Sequence, residues 1–328
     1  MVAVVALAAC AGDDGATDPA PSTSATTGPP TGADEPDAPD EVAADPSAGC
    51  GRAPDVAVVS ADEDPGDVAQ TLTVDGAERT YRLAVPTGYD AEEPAPFVLN
   101  LHGSGSDGLQ AGVYGDVPHA ASARGVVVAA PDAIDGQWEI TGDGADAAFL
   151  EAVADDVAER YCIDRARMHM LGMSLGAFRA AVTACASDRW ASAALVTVEV
   201  FPGTCDPLPV VALHGTADPV AAYGPGGSMP DPEGPNPGIT GVVENMAAWA
   251  ENGGCAPEAR QEDVGDDVVR HTYPGCEEGV DVVLYSIEGG GHTWPGSDIT
   301  IGPPEMTTRT VDATEVALDW FAAHPRRP

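Results

Sequence analysis

Short apolar runs alternate with amphipathic stretches over most of the chain. Polar and apolar side chains alternate in residues 79–85, as in a half-buried strand, whereas Phe149, Leu150, Val153 and Val157 recur at helical spacing. The predicted strands are residues 69–74, 79–85, 97–101, 126–130, 168–171, 193–198, 210–214 and 282–287. The predicted helices are residues 117–123, 145–161, 177–186, 242–252 and 311–323. Such alternation predicts an α/β fold, with a mostly parallel central sheet, helices on both faces, and functional loops at the carboxyl ends of the strands.

The N-terminal part of the chain has a different composition. Residues 11–48 are mostly Asp, Pro, Thr, Ser, Gly and Ala, which bury too little apolar surface to offset chain entropy, so they are predicted to form a disordered acidic linker. The rest of the 328-residue chain can form one large core, and residues 49–328 are predicted to be a single domain.

Residues 1–10 are almost wholly apolar and end in Leu7-Ala8-Ala9-Cys10. This sequence resembles a bacterial lipobox, which implies a signal remnant and lipidation of Cys10; a frayed apolar N-terminus is the alternative. The expected location is therefore extracellular, with a lipid anchor in the cell membrane.

Cysteine usage fits an oxidising exterior. Without Cys10, six cysteines remain, enough for three disulfides, and Cys255 with Cys276 is the most local pair because the two flank a hairpin-like segment. The sequence leaves open how the other four pair: Cys50, Cys162, Cys185 and Cys205. No C-x-x-C spacing occurs in the sequence, so no metal site is expected.

The chain is strongly acidic. Its formal net charge is −39, and all 14 of its basic residues are arginine. Such a surface repels nucleic acid and anionic lipid headgroups, so nucleic acid is excluded as a partner. The only membrane contact expected is through the lipid anchor. We expect a soluble monomer that needs no cofactor.

The candidate nucleophile is Ser174. It lies in Gly172-Met173-Ser174-Leu175-Gly176, between a predicted strand and a predicted helix, as the serine of a nucleophile elbow does. A serine hydroxyl needs a base to accept its proton, and that base needs an acid behind it.

His292 is the candidate base and Asp218 the candidate acid. His292 lies in a glycine-rich loop after the last predicted strand, and Asp218 follows strand 210–214, which gives the chain order serine, acid, histidine. Asp132 and Asp206 are rival acids, but Asp132 precedes the serine. His214 is interpreted as a turn residue.

Two backbone N–H groups are predicted to stabilise the oxyanion that forms during attack on an ester. One belongs to Leu175, directly after the nucleophile, and the other to Ser104, in the glycine-rich loop after strand 97–101.

These motifs resemble those of the polyhydroxybutyrate depolymerase-like esterases, which are related to feruloyl and acetyl-xylan esterases. The matching segments, between about residues 71 and 320, are Leu101-His102-Gly103, Arg160-Tyr161-Cys162-Ile163-Asp164, Gly172-Met173-Ser174-Leu175-Gly176, His214-Gly215-Thr216-Ala217-Asp218-Pro219-Val220 and Gly289-Gly290-Gly291-His292-Thr293-Trp294-Pro295-Gly296.

The resemblance implies an α/β-hydrolase fold and a lipid-anchored serine esterase with Ser174, Asp218 and His292 as its triad. It favours short hydroxyalkanoate oligoesters as substrates, with feruloyl or acetyl-xylan esters as the alternative. A peptidase of the same fold and a non-catalytic binding lipoprotein are more distant alternatives. It further implies that Trp294 and Trp138 line the mouth of the site, and His102 is a third candidate for substrate binding.

Overall fold

The computed structural model describes residues 42–54, 67–225, 240–300 and 302–327. The chain divides into two units, Met1–Glu41 and Val42–Pro328, and all of the described residues belong to the second. Cys10 and most of the predicted linker lie outside the described residues. The predicted linker, residues 11–48, extends too far toward the C-terminus. Pro46 forms a β-bridge with Asp164, and the Ser47 N–H donates to the Ile163 carbonyl at 2.9 Å.

A ten-stranded sheet runs through the described part of the chain, in the order β1-β2-β4-β3-β5-β6-β7-β10-β9-β8. Strands β3 to β7 and β10 are parallel to one another, while β1, β2, β8 and β9 pair in antiparallel fashion at the two ends. The strands are β1 Val68–Val74, β2 Ala77–Ala84, β3 Ala95–Leu101, β4 Val127–Pro131, β5 Ile163–Met173, β6 Ser192–Val196, β7 Val210–Gly215, β8 Arg260–Asp263, β9 Val268–Tyr273 and β10 Val282–Ile287.

Six α-helices of the described chain cover the sheet on both faces: α1 Gly108–Tyr114, α2 Val117–Ala123, α3 Ala145–Arg160, α4 Leu175–Ala186, α5 Val242–Asn252 and α6 Ala313–Ala323. Helices α3, α4 and α5 contribute to one core, which includes Phe149 and Trp249, and α2 and α6 contribute to the other, which includes Phe321. Because both faces are covered, the central strands are apolar at successive positions, as in β7. None of the helices in the described ranges is both long and apolar enough for a membrane span. The architecture confirms the predicted α/β-hydrolase fold.

Some elements differ from the sequence prediction. Strand β5 begins at Ile163, five residues before the predicted start. The polar residues at this end conceal the apolar pattern of a strand in the sequence, but buried Asp164 is paired with Arg167. Helix α1 was not predicted, since it contains two glycines; a Cβ on Gly108 would lie 2.1 Å from the Ala130 carbonyl oxygen, so this helix packs too closely on β4 for a larger residue.

Three disulfides join the six cysteines of the described residues. Cys255 pairs with Cys276, as predicted, and spans the hairpin of β8 and β9. The pairs that the sequence left open are Cys50–Cys162 and Cys185–Cys205.

Candidate active site

Ser174 occupies a tight turn between β5 and α4. Its φ of 57° and ψ of −124° are strained values for a residue with a side chain, and its N–H donates to the Val196 carbonyl of β6 at 2.9 Å. A Cβ on Gly172 would lie 2.4 Å from the Gly176 oxygen, and a Cβ on Gly176 would lie 2.2 Å from the Leu101 oxygen. Both flanking glycines are therefore required for the turn to pack against itself and against the end of β3.

Asp218 lies in the turn that follows β7, and its carboxylate is held from two sides. Oδ1 accepts hydrogen bonds from the N–H groups of Val220 and Ala221 at 2.7 and 2.9 Å, and the residue is only 6% exposed. These two bonds fix the orientation of the carboxylate, so that Oδ2 is presented to the imidazole of His292.

His292 lies in the loop after β10 and contacts Asp218 directly. Its Nδ1 donates to Asp218 Oδ2 at 2.7 Å, the tautomer being inferred from that bond, and this leaves Nε2 available as a base. The loop approaches β7 very closely, because a Cβ on Gly215 would lie 2.3 Å from the Gly290 oxygen, and the Ala217 N–H donates to the same oxygen at 2.9 Å.

The electrostatics of Asp218 favour its ionised form. Burial alone would raise the pKa of this carboxyl, but hydrogen bonds from His214 and His292 outweigh burial and hold the pKa well below its usual range. Asp218 is therefore a carboxylate at neutral pH and can stabilise an imidazolium at His292.

Within the described chain, no hydrogen bond joins the Ser174 hydroxyl to His292. Bonds of this kind are commonly long in unliganded enzymes and shorten when substrate binds. The Ser174 side chain lies beside Gly103, where an added Cβ would be 3.3 Å from the Ser174 Cβ.

The predicted oxyanion donors lie at the expected ends of their elements. Leu175 is the first residue of α4, where N–H groups have no partner within the helix, and Ser104 follows β3. The Ser104 hydroxyl bonds to Gln137 at 2.9 Å, and the Gly105 N–H donates to the Gly136 oxygen at 2.8 Å, so the segment after β4 braces this loop. Their role in catalysis stays a prediction.

His102 and Trp138 are buried and join two loops, which contradicts their predicted contact with substrate. His102 is 2% exposed; its Nδ1 donates to the Gly103 oxygen at 2.7 Å and its Nε2 accepts from the Ala133 N–H at 3.0 Å. Burial lowers the pKa of His102, in keeping with a neutral ring. The Trp138 indole N–H donates to the His102 oxygen at 2.9 Å.

Trp294 is also buried, and its predicted place at the mouth of the site is wrong. It is 3% exposed, its indole N–H donates to the Thr314 hydroxyl at 3.1 Å, and it belongs to the core beneath α6. The rival acid Asp132 has a structural role, since its Oδ1 accepts from the Gly108 N–H at 2.7 Å.

The sequence did not predict a buried ion pair, His214 with Glu199, that lies beside Asp218. His214, interpreted as a turn residue, bonds through Nδ1 to Glu199 Oε2 at 2.6 Å, and Glu199 was not singled out at all. Glu199 comes from a different loop, 15 residues earlier in the chain. The only signal in the sequence was a carboxylate within an otherwise apolar segment after β6.

No protein-family model matches the chain. It is 27% identical to a putative esterase, NocK, from Nocardia uniformis subsp. tsuyamanensis, over 79% of this chain and 83% of that protein. It is 28% identical to feruloyl esterase B from Piromyces equi over 65% of this chain, although the match spans only 42% of that longer protein. Among solved structures, acetyl xylan esterase from Aspergillus awamori matches 78% of this chain and 99% of its own with a TM-score of 0.52, and at 15% identity it supports the fold alone.

Fold and relatives together define the class of protein: the chain is a serine carboxylic ester hydrolase with an α/β-hydrolase fold. Within that class its sequence is similar to a putative esterase and to feruloyl esterases, at 27% and 28% identity.

Proposed function

We propose that Ser174, His292 and Asp218 are the catalytic triad of this esterase and that its substrates are feruloyl-type esters of plant polysaccharide. The observation that carries the triad is the 2.7 Å bond between His292 and the fixed Asp218 carboxylate, on the same edge of the sheet as the strained Ser174 turn.

In the proposed reaction, His292 Nε2 takes the Ser174 proton as Oγ attacks the ester carbonyl. The N–H groups of Leu175 and Ser104 stabilise the oxyanion that forms. As the intermediate collapses, the imidazolium gives its proton to the departing alcohol oxygen, and the acyl group stays on Ser174. Water, deprotonated by His292, then releases the acid and restores the serine.

Exposed apolar side chains at the catalytic edge support a bulky, apolar acyl group. The segments after β3, β4, β7 and β10 meet at this edge, because these strands are parallel. They carry large hydrophobic side chains with exposed fractions of 37% to 53%, namely Leu109, Val113, Ile134, Ile140, Val220 and Ile299. Most of the other large apolar side chains in the described chain are buried, so this concentration favours a phenylpropanoid acyl group over acetyl.

The loop that presents Ile140 is rigidly held, which suits it to a role in acyl recognition. Buried Arg179 of α4 donates to the carbonyl oxygens of Glu139 and Thr141 at 3.2 and 2.6 Å, one on each side of Ile140. Nearby, Asp146 is paired with Arg79 at 2.8 Å and accepts from the Glu139 N–H.

The relatives reported above include one named for feruloyl esters, which moves the preferred substrate away from the hydroxyalkanoate oligoesters favoured by the sequence. Those oligoesters stay a prediction. An ester substrate also fits the esterase class better than the peptide amide of a peptidase substrate does.

Export and lipid anchoring at Cys10 are the remaining parts of the proposal. Three disulfides support an oxidising compartment. Cys10→Ala, expressed in a bacterial host that processes lipoproteins, should move the enzyme from the membrane fraction to the soluble fraction. Membrane retention equal to that of the wild type would refute lipidation at this residue.

The substrate proposal is tested with a panel of methyl ferulate, methyl acetate and methyl esters of hydroxybutyrate oligomers, so that every ester has an alkyl alcohol as its leaving group. We expect the highest kcat/KM for ferulate, and Ser174→Ala should lower it by at least about 10³-fold with the fold intact. Ile140→Ser should lower kcat/KM for ferulate and leave acetate hydrolysis unchanged. Full activity of Ser174→Ala would overturn the triad, whereas faster turnover of hydroxybutyrate oligomers would overturn the substrate class alone.

A further inference from the structure

A second histidine and carboxylate lie directly behind the Asp218 side chain. His214, the penultimate residue of β7, and Glu199, in the segment after β6, are each 2% exposed. His214 Nε2 lies 3.5 Å from Asp218 Oδ2, the same oxygen that accepts from His292. The two histidines therefore contact one carboxylate oxygen from different sides.

The hydrogen bonds of His214 place a proton on one ring nitrogen and a carboxylate oxygen against the other. Nε2 lies 2.9 Å from the Ala221 carbonyl oxygen, which can only accept, so Nε2 carries a proton. Nδ1 lies 2.6 Å from Glu199 Oε2, and the other oxygen of Glu199 accepts from the Asn245 amide at 3.1 Å. A second proton on Nδ1, directed at Glu199 Oε2, makes His214 an imidazolium.

The electrostatic balance agrees with this geometry. Burial by itself would lower the pKa of His214, but the adjacent Glu199 carboxylate, with Asp218, outweighs burial and raises the pKa to about 10. The pair has no net charge of its own, yet its positive member is the one nearer to Asp218.

The chain is bent to bring Glu199 into this position. Thr197, a β-branched residue, adopts a φ of 66°, and its N–H donates to the Leu213 carbonyl of β7 at 2.9 Å. The Glu199 carbonyl oxygen accepts from the Trp249 indole of α5 at 2.9 Å. A strained backbone held on both sides is typical of a functional position.

Resting on the proposed triad, we infer that Glu199 and His214 are positioning residues of the esterase, which hold Asp218 in its bonded geometry and weaken its attraction for a protonated His292. The His214 imidazolium bridges Asp218 Oδ2 and the Ala221 carbonyl, so it fixes the turn whose N–H groups orient the carboxylate. It also places a positive charge behind Asp218, which offsets part of the stabilisation that Asp218 gives to a protonated His292.

Other titratable groups around His214 do not supply a competing charge at neutral pH. The Tyr223 ring packs edge-on against His214 at 5.7 Å, and its hydroxyl bonds to Ser286 of β10, which also bonds to His271 of β9. Burial raises the pKa of Tyr223 and lowers that of His271, so both rings are neutral at pH 7.

The remaining carboxylates on the neighbouring elements are exposed. Glu244 of α5 and Glu288, directly after β10, both face solvent, and their influence is screened there. Asp218 and His292 are thus the titratable groups through which the pair acts.

The test is the pH profile of kcat/KM for Glu199→Gln, with His169→Gln as a matched control. In Glu199→Gln the neutral amide can donate to Nδ1, so His214 loses its extra proton while Nε2 still donates to Ala221. Without the imidazolium, a protonated His292 is better stabilised, and the acid limb should move upward by about one pH unit. Nuclear magnetic resonance should find both ring N–H protons on His214 in the wild type at pH 8 and one in Glu199→Gln.

The control histidine is as buried as His214 but lies away from Asp218. His169 of β5 is 0% exposed, bonds to Ser192 and stacks on Phe321 at 4.7 Å. His169→Gln should lower stability and leave the acid limb in place. If Glu199→Gln folds poorly, the double variant Glu199→Gln with His214→Gln, which removes both charges, should show the same upward movement of the acid limb.

The outcomes separate the two proposals. A folded Glu199→Gln with a wild-type or lowered acid limb, or a neutral His214 in the wild-type spectrum, would overturn the positioning role while Ser174→Ala remains inactive. An active Ser174→Ala would remove the triad and this inference together.

Discussion

The backbone of Ser174 is strained because the residues around it leave no other path for the chain. Its positive φ turns the chain from β5 into α4, and the hydrogen bond from its N–H to Val196 ties the turn to the neighbouring strand. Glycine on either side lets the end of β3 come within contact distance. Strain at Ser174 is thus maintained by packing from three strands rather than by the pentapeptide alone.

Gly176→Ala should damage both stability and catalysis. The added methyl would lie 2.2 Å from the Leu101 oxygen and 2.4 Å from the His102 oxygen, so the segment leading to Ser104 would have to move. We expect a loss of about 1–3 kcal/mol in the free energy of unfolding and a fall in kcat of about 10²-fold. Urea unfolding and steady-state kinetics measure the two effects.

Gly88→Ala is the matched control for that substitution. A Cβ at Gly88 would meet nothing within 4 Å, so the change in unfolding free energy should stay within about 0.5 kcal/mol. If Gly176→Ala behaved like this control, the close approach at the elbow would not be required for activity.

At the residue scale, the sequence could predict that Asp218 and His292 lie together but not where every side chain points. The order of Ser174, Asp218 and His292 follows from motifs with a known geometric requirement. Trp138 and Trp294 were expected at the surface of the site, but each indole N–H finds a buried acceptor. That acceptor comes from a segment distant in sequence, and no local pattern reports it.

Among the elements, those whose apolar residues recur at a regular spacing were predictable, and those that depend on packing against distant segments were not. Helix α5 matches its predicted bounds, because its apolar positions recur at helical spacing. Helix α1 begins at Gly108, which is needed because β4 passes directly behind it. Strand β5 extends through Asp164, whose carboxylate pairs with Arg167 and accepts from the Asp45 N–H. In both cases the deciding contact is tertiary.

The elements on either side of β7 also explain why the Glu199–His214 pair escaped notice. Parallel neighbours in a sheet are separated by a crossover, so β6 and β7 lie side by side while their carboxyl ends carry unrelated sequence. A pair that forms across those two ends leaves no spacing signature. The positive φ of Thr197 marks the place in the backbone, and a sequence does not display it.

For the whole molecule, the disulfides differ greatly in the length of chain that they close. Cys50–Cys162 has a sequence separation of 112, whereas Cys185–Cys205 and Cys255–Cys276 have separations of 20 and 21. In the chain-entropy model, a longer closed loop removes more freedom from the unfolded state.

Removing the long-range disulfide should therefore destabilise the enzyme most. We expect Cys50→Ala with Cys162→Ala to cost about 5 kcal/mol, and the corresponding double variant of Cys255 and Cys276 to cost about 3 kcal/mol. Urea unfolding of both variants beside the wild type measures the difference. Equal losses, or the reverse order, would show that native packing around the bonds matters more than loop length.

The outermost strand at one end of the sheet has a consequence for how the enzyme behaves at high concentration. All four residues of β8 are exposed, and Arg260, Glu262 and Asp263 are charged. A second copy that tried to add a strand here would have to bring its own acidic surface against these carboxylates and strip water from the charges. The exposed charges on β8 thus disfavour the addition of further strands, so that the enzyme remains dispersed in solution.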